Sequence, residues 1–467
     1  MRRSLSNIAS AGVADVATRG LGFLITAYLA RVLGVSAFGM MSIGLSVLGY
    51  LSVLASPGVH ITGARDVAGG RAEPVAIVSA ILSLRLWIST TLFLLVLAVA
   101  AFVVPSVPAS LLIIGFALTL FPMALSLDWF FQGKERLAIV SASKIGLYTV
   151  YLVLVLLLVR SADDVAWSAL AFAAGNLAAA VVLLGAFVRE YGRFGIQMPD
   201  RSLGILLRES LPLGVSALLA QNITNLPVIV LGVVASTGDA GVFTAAMKLI
   251  FFILVADRVL FAVFLPVLSR LATEESRRFG HLAGVLVKMV IAGSVMVGLV
   301  GVFYPGPIIH LVYGDGYPAA VPVLQILQVY FVATLVNTVL MSALLARKRE
   351  REYVTVLFQG TGVLALLCIV LSSIFGPVGA ATSLAVGEVL MALLMWSRAK
   401  NVVAFDSARG LWPVVAAGSC SAGIMLLCVG LSPLVGAALG GAGFALIYWF
   451  GGGLTREEVQ TVRKMLA

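Results

Sequence analysis

The chain has 467 residues, of which 61% are hydrophobic and 11% charged, and its mean hydropathy is +1.09. This composition excludes a soluble globular domain and predicts a polytopic membrane protein. The formal net charge of +10 could indicate nucleic-acid binding, but in a membrane protein it more often reflects basic cytoplasmic loops. We therefore expect membrane lipids as partners and no nucleic acid.

The first apolar stretch, residues 7 to 39, is long enough to cross a bilayer but carries Asp15 and Arg19. A charge at the centre of a spanning helix costs about 2.5 to 3.5 kcal/mol. The two residues are four apart, so they share a helix face and can form an ion pair. This face is predicted to line a protein interior or a wet cavity. The alternative is an ion pair that serves helix packing near one membrane surface.

Hydrophobic runs of spanning length, separated by short polar breaks, predict an all-α membrane protein with about fourteen transmembrane helices. The predicted spans are residues 7–32, 39–63, 75–101, 109–132, 138–160, 164–188, 211–235, 241–271, 282–304, 321–346, 353–375, 378–398, 411–431 and 433–450. Four prolines inside these runs favour kinks, namely Pro57, Pro122, Pro227 and Pro266.

The distribution of positive charge supports this order of spans. If the N-terminus is cytoplasmic, most of the 31 basic residues fall in cytoplasmic segments, as the positive-inside rule requires. The opposite side receives only Arg31 and Arg160, both at helix ends. Both termini are therefore predicted to be cytoplasmic.

Two similar segments indicate an internal repeat. Residues 211–241 resemble residues 7–39, and alignment of Gly39 with Gly241 places Gln221 opposite Arg19. Secondary transporters have such repeats, with the substrate site between them. We predict an N-terminal lobe over residues 1–200 with six spans and a C-terminal lobe over 201–400 with six. Residues 401–467 supply two further spans and a cytoplasmic interfacial tail.

Charged and amide side chains within the spans are the candidate ligands. Lys144 shares a helix face with Tyr148 and Tyr151, a set that suits a phosphate and a sugar but equally suits packing. The amides of Asn222 and Asn225 suit either a substrate or interhelical hydrogen bonds. The full set of basic residues in the spans is Arg19, Arg85, Lys144, Lys248, Arg258 and Lys288; the acids are Asp15, Asp128, Asp257 and Glu388.

Helical spacing ranks these basic residues. Asp257 and Arg258 are adjacent and do not face each other, and Lys248 lies on the opposite face from Asp257. Arg258 is the stronger candidate and Lys248 the weaker one. Lys288, close to the cytoplasmic end of its span, is expected to snorkel toward the interface.

Catalytic and metal-binding patterns are missing from the sequence. No Gly-x4-Gly-Lys-Ser/Thr loop is present, and the three histidines, His60, His281 and His310, are scattered. The loops are too short to build a catalytic domain. We therefore expect neither enzymatic activity nor a bound metal or cofactor.

Five segments carry a resemblance to a known family. They are LARVLGVSAFG at Leu29–Gly39, LDWFFQGKER at Leu127–Arg136, AGVFTAAMKL at Ala240–Leu249, LPVLSRL at Leu265–Leu271 and YGDGYPAAVPVLQIL at Tyr313–Leu327. The chain resembles the polysaccharide or oligosaccharide (O-antigen-type) flippases of the multidrug/oligosaccharidyl-lipid/polysaccharide exporter superfamily. The resemblance implies two six-helix lobes around a central cavity, often with two extra helices.

The same resemblance implies movement of an undecaprenyl-diphosphate-linked sugar unit across the bacterial inner membrane by alternating access. The predicted substrate ligands are Arg19 and Arg258, followed by Arg85, Lys144, Lys248, Asn222 and Asn225. Drug-exporting relatives use an acid in the first span for ion coupling, and Asp15 occupies a comparable helix, so H⁺ or Na⁺ coupling is a hypothesis. A polysaccharide assembly machinery is a candidate further partner.

Two other functions stay open at this point. A drug or cation antiporter of the same superfamily would favour acidic residues, whereas the spans hold more basic than acidic side chains. A membrane glycosyltransferase, polymerase or ligase would need a long catalytic loop. The sequence therefore favours an anionic substrate.

Overall fold

A computed structural model describes residues 2–70, 73–102, 107–196, 201–274, 276–400, 403, 407–428, 430, 432–455 and 458. These residues form helices and connecting turns, with no strand among them. The helices are α1 Arg2–Ala55, α2 Val59–Ala68, α3 Pro74–Phe102, α4 Val107–Leu118, α5 Leu120–Leu125, α6 Asp128–Gly133, α7 Leu137–Leu158, α8 Val165–Tyr191, α9 Arg201–Thr224, α10 Leu226–Val234, α11 Thr237–Ile253, α12 Val255–Glu274, α13 Ser276–Phe303, α14 Pro305–Tyr313, α15 Ala320–Ala346, α16 Glu350–Ala399, α17 Ser407–Leu427 and α18 Pro433–Phe450.

The number of membrane spans agrees with the hydropathy prediction. Within the described residues, ten helical segments are long and apolar enough to cross a bilayer, and the bent pair α9–α10 is an eleventh. Two of the ten contain a break, at Gly34 in α1 (φ 70°) and at Gly376 in α16 (φ 56°). Only glycine adopts this backbone conformation without strain, so each long helix comprises two spans. With the shorter apolar helix Leu411–Leu427, the predicted fourteen spans are all accounted for.

Four predicted spans are interrupted. The run 211–235 bends between α9 and α10, and the run 241–271 breaks between α11 and α12. The run 39–63 breaks at Ser56–Gly58, next to Pro57, where α1 ends and α2 begins. The run 109–132 consists of α4, α5 and α6, and Pro122 lies in the short middle helix. Proline removes a backbone hydrogen bond, which explains why continuous hydropathy does not give a continuous helix here. Pro266, in contrast, lies inside α12 without ending it.

The helices form two compact units, Met1–Gly241 (unit 1) and Val242–Ala467 (unit 2). In unit 1, α7 packs against α8 and α1, and α4 packs against α8. An aromatic core centred on Phe130, Phe131 and Phe187 holds α6 against α8. Helices α9 and α10 pack on α1 within this unit. The lobe boundary at residue 200 stays a prediction.

Unit 2 is organised around α15, which contacts α12, α13 and α16. The pair α17–α18 attaches to α13 through a cluster that includes Ala292, Val414 and Phe444. Because α15 has neighbours on several sides, polar side chains on it are removed from lipid. The predicted interfacial tail after Leu454 lies largely outside the described residues.

In unit 1, the first residues of α11, 237–241, cross α1 at two glycines. A Cβ on Gly39 would overlap the carbonyl oxygen of Thr237, and a Cβ on Gly241 would overlap that of Val35. Ser36 Oγ and Thr237 Oγ1 are 3.0 Å apart beside this crossing. Gly39 and Gly241 are the residues that the repeat alignment pairs with each other. The crossing is therefore a backbone-to-backbone contact that admits no side chain.

Candidate functional site

A cavity of about 340 Å³ lies among the helices of unit 1. Its apolar wall includes Trp129, Leu147 and Met123. Its polar lining consists of Ser52, Ser56, His60, Arg85, Ser126, Asp128, Gln132, Ser143, Lys144 and Asn176. A pocket with an apolar body and several convergent polar groups is the usual form of a small-ligand site.

Arg85 is buried at the wall of this cavity, and it is held by a broken helix. Its Nη1 donates to Ser126 O at 2.9 Å, and its Nη2 donates to Met123 O. Helix α5 ends at Leu125, and Met123 O already accepts the Ser126 N–H at 3.2 Å. The guanidinium is a second donor to Met123 O and also donates to Ser126 O, at the point where the helical hydrogen-bond pattern stops. Its buried Nε–H has no hydrogen-bond acceptor among the described residues.

Asp128 and Lys144 complete the charged lining. Asp128 is the first residue of α6, and Lys144 projects from α7 with an exposed side chain. The Asp128 carboxylate interacts electrostatically with both Lys144 and Arg85. Two cations against one carboxylate leave this cavity with an excess of positive charge. His60 Nδ1 lies 3.3 Å from Ser56 Oγ at the same wall.

The tyrosines predicted to accompany Lys144 are in packing positions. Tyr151 is buried, with its ring centroid 5.2 Å from that of Phe172. The ring of Tyr148 lies so close to Gly22 that a Cβ there would be 3.2 Å from it. Of the predicted Lys144–Tyr148–Tyr151 face, Lys144 alone lines the cavity of unit 1.

The two predicted asparagines lie near the junction of α9 and α10, and Asn222 bonds to α1. Tyr50 Oη donates to Asn222 Oδ1 at 2.8 Å. Asn225 Nδ2 donates to Gln221 Oε1, and Gln221 Nε2 donates to Gly49 O at 3.3 Å. The Asn222 contact is the interhelical bonding that the sequence left open as an alternative, whereas Asn225 bonds to Gln221 of α9. A role of Asn222 and Asn225 in substrate binding stays a prediction.

The remaining predicted residues lie away from this cavity's lining. Arg19 is half-buried on α1, while the Asp15 side chain lies outside the described residues, and so does the predicted Asp15–Arg19 pair. Arg258, exposed on α12, and Lys248, half-buried on α11, belong to unit 2. Their roles as ligands, and that of Asp15 in ion coupling, stay predictions.

Sequence reasoning missed His60 and Asn176 as residues of a shared cavity. Each is a polar side chain near or within an apolar run, so the sequence could have identified both as candidates. The sequence could not show that they line one cavity, because His60 on α2 and Asn176 on α8 are brought together only by tertiary packing.

Two solved structures have folds similar to that of this chain. The fold is similar to "Lipid II flippase MurJ, inward closed conformation" (TM-score 0.74, 14% identity, covering 94% of this chain and 99% of that one). It is also similar to an inward-facing multidrug resistance MATE family transporter of the MOP superfamily (TM-score 0.64, 15% identity, 82% and 94% covered). The fold is therefore the one that these two structures share.

The family follows from the sequence itself. The model of the family described as "Polysaccharide biosynthesis protein" matches residues 4–272. The chain belongs to this family. A relative, the "Putative O-antigen transporter" of Escherichia coli (strain K12), is 23% identical over 393 residues, which cover 80% of this chain and 91% of that protein. The predicted resemblance to O-antigen-type flippases is confirmed.

Proposed function

We propose that this protein flips a polyprenyl-diphosphate-linked oligosaccharide across the bacterial inner membrane by alternating access, for cell-surface polysaccharide synthesis. The proposal includes cytoplasmic N- and C-termini, which the distribution of basic residues supports. The observation that carries the proposal is the excess of positive charge in the cavity of unit 1, where Arg85 and Lys144 face one carboxylate, Asp128.

The cavity offers what each part of such a substrate needs. A diphosphate that leaves water requires positive charge and strong donors, which a guanidinium and an ammonium group provide. Sugar hydroxyls need amides and hydroxyls, and Gln132 and Asn176 line the same space. The polyprenyl tail stays in lipid and needs no polar ligand. Binding and release are non-covalent, so the proposal includes no catalytic group and no cofactor.

In this proposal, Asp128 competes with the substrate for the two cations. Without substrate, its carboxylate partly neutralises Lys144 and Arg85. A diphosphate competes with Asp128 for these cations, so the acid lowers affinity and assists release. Removal of the acid should therefore tighten binding, whereas removal of Lys144 should weaken it.

A drug or cation antiporter is the second candidate, and the same acid is the observation that favours it. An organic cation would bind Asp128 and be repelled by Lys144. The two functions thus predict opposite effects of neutralising these residues.

The experiment compares Lys144→Gln with Asp128→Asn. In proteoliposomes that contain a polyprenyl-diphosphate-linked glycan, Lys144→Gln should slow flipping by about tenfold or more, the effect of one charge-assisted hydrogen bond. Asp128→Asn should bind the glycan lipid at least as tightly as the parent. Lys134→Gln, an exposed neighbour outside the lining, is the matched control and should flip normally.

Failure of the parent protein to flip the glycan lipid would contradict the flippase. Unchanged glycan flipping by Lys144→Gln would instead contradict the assignment of the substrate site to this cavity. Transport of an organic cation that is lost in Asp128→Asn and kept in Lys144→Gln would identify the antiporter. The Arg19→Ala and Arg258→Ala variants, measured alongside, test the residues that the sequence ranked first.

A further inference from the structure

Trp129 and Arg85 both line the cavity of unit 1, and each has a buried donor without an acceptor. Trp129 is 3% exposed and Arg85 is 8% exposed. Within the part of the chain that the structure describes, Trp129 Nε1 and Arg85 Nε have no hydrogen-bond partner. A buried donor without an acceptor has lost its hydration and gained nothing in exchange. Two such donors in the wall of one cavity indicate a ligand that supplies acceptors.

The indole of Trp129 is held by packing on α2 and on its own helix. A Cβ on Gly63 of α2 would lie 2.8 Å from Cζ3 and 2.9 Å from Cε3 of the indole, so only glycine leaves room for the ring. The Nε1–H lies across the ring system from this benzo edge and takes no part in the contact. The ring of Phe130 packs edge-on at a centroid distance of 6.0 Å. The indole donor is therefore oriented before any ligand binds.

Arg85 is oriented in a similar way by main-chain oxygens. Its Nη1 donates to Ser126 O at 2.9 Å and its Nη2 donates to Met123 O, which fixes the plane of the guanidinium. These bonds use two of the five N–H donors that a guanidinium has. The Nε–H belongs to an edge of the guanidinium that matches two oxygens of a phosphate or carboxylate.

The unused groups are donors and not acceptors, which decides the class of ligand. An indole N–H and a guanidinium donate hydrogen bonds and accept none. Lys144 adds an ammonium group to the same lining. An organic cation would find no acceptor in Trp129 or Arg85, whereas an oxyanion brings several acceptor oxygens into one small volume.

We propose that Trp129 Nε1–H and Arg85 Nε–H form an oxyanion subsite in the cavity of unit 1, and that Trp129 is a specificity-determining residue for ligands that carry phosphate. The indole is a neutral donor, so it rewards an acceptor oxygen on the ligand and not negative charge as such. The ligand group is a phosphate or diphosphate, either free or as the headgroup of a carrier lipid. That this group belongs to a transported glycan lipid rests on the proposed function, but its binding does not.

The test measures binding by the purified full-length protein in calorimetric titrations. The probes are inorganic pyrophosphate, farnesyl diphosphate and farnesol, which has the same chain without phosphate. Saturable binding of pyrophosphate identifies the free anion as a ligand. Binding of farnesyl diphosphate more tightly than farnesol, without binding of pyrophosphate, identifies the lipid headgroup. If pyrophosphate does not bind and farnesyl diphosphate binds no better than farnesol, the proposal is overturned.

Trp129→Phe keeps an aromatic ring and removes the N–H. Its affinity for the diphosphate probe that the parent binds should fall by about tenfold, the effect of one hydrogen bond to a charged group. Its affinity for farnesol should stay that of the parent protein. Trp167→Phe is the matched control, because this tryptophan on α8 is exposed and lies away from the cavity's lining. It should bind all three probes like the parent.

A second variant separates the lost donor from the lost volume, since phenylalanine is smaller than tryptophan. Benzothienylalanine at position 129 puts sulfur in place of the indole N–H at nearly unchanged size. Without ligand, its thermal unfolding midpoint should be no lower than that of the parent, because the N–H has no partner to lose. Its affinity for the diphosphate probe should fall as in Trp129→Phe.

The proposal fails if both position-129 variants bind the diphosphate probe as tightly as the parent, because the indole would then serve packing alone. Failure of the flippase proposal gives a different pattern. In that case the parent protein does not flip the glycan lipid, while its diphosphate binding and the weaker binding of Trp129→Phe remain.

Discussion

Arg85 shows how one residue can combine a structural contact with a predicted substrate contact. Its Nη atoms hold the carbonyls of Met123 and Ser126, and its Nε–H has no acceptor within the described part of the chain. The sequence identified Arg85 as a cation within a span. It did not identify the structural contact, because the acceptor Ser126 lies 41 residues further along the chain, at a break that hydropathy does not reveal.

The variants Arg85→Lys and Arg85→Met separate these roles. Lysine keeps the charge but lacks the planar fork that bonds two carbonyls at once. We expect Arg85→Lys to lower the unfolding free energy by about 1 to 3 kcal/mol while keeping measurable glycan flipping. Arg85→Met should lose both stability and flipping. Thermal unfolding and proteoliposome flipping are the two measurements, and full stability of Arg85→Met would contradict the structural contact.

At the scale of single elements, α13 is joined to the segment that follows α18. Lys288 Nζ donates to both carboxylate oxygens of Glu458, each at 3.1 Å. Glu458 also accepts from the Thr455 N–H at 2.7 Å. Lys288 was expected to snorkel to the interface; it is instead 8% exposed and paired. Hydropathy locates Lys288 near the end of its span but contains no information about a partner that is distant in the chain.

The Glu458 contact predicts a pH dependence. Burial opposes ionisation of this carboxyl, but hydrogen bonds from Thr455 and Lys288 outweigh it and lower the pKa of Glu458 from 4.5. The folded state thus favours the ionised form, so this stabilisation is present above pH 4.5 and is lost as the pH falls through the lowered pKa. Glu458→Gln should have a lower thermal unfolding midpoint than the parent protein at neutral pH. The difference between the two midpoints should become smaller in acid, where the parent protein's Glu458 is protonated.

A double-mutant cycle separates this pair from other effects of the substitutions. Lys288→Met alone should destabilise the protein, since it leaves Glu458 partly buried without its cation. Lys288→Met combined with Glu458→Gln should lose less than the sum of the two single variants. Strict additivity in thermal unfolding would show that the pair contributes nothing.

At the scale of the whole molecule, the sequence predicted the number of spans but not which of the charged residues lie together in one site. Hydropathy measures the length of apolar runs, which the bilayer thickness fixes, so fourteen spans could be counted. The kinks at Gly34 and Gly376 lie between predicted spans because glycine tolerates positive φ. The cavity of unit 1, with Trp129 and Arg85 in its wall, depends on which helix faces meet. Uniformly apolar spans leave those faces unspecified.

The predicted topology is tested by cysteine labelling. Ser161 and Lys348 are both exposed, and they lie in connections assigned to opposite sides of the membrane. In a background that lacks the exposed Cys420, an impermeant maleimide applied outside should modify Ser161→Cys and spare Lys348→Cys. Permeabilised cells should label both. The reverse pattern in intact cells would place the termini outside.

The crossing of Gly39 and Gly241 has a consequence for how this protein can vary. Contacts between side chains can be exchanged during evolution, because a smaller residue on one helix compensates for a larger one on the other. A contact between two bare backbones has no such compensation, since neither position has atoms to give up. Any larger residue at either glycine would therefore force the two backbones apart, and no substitution on the other helix could restore the contact.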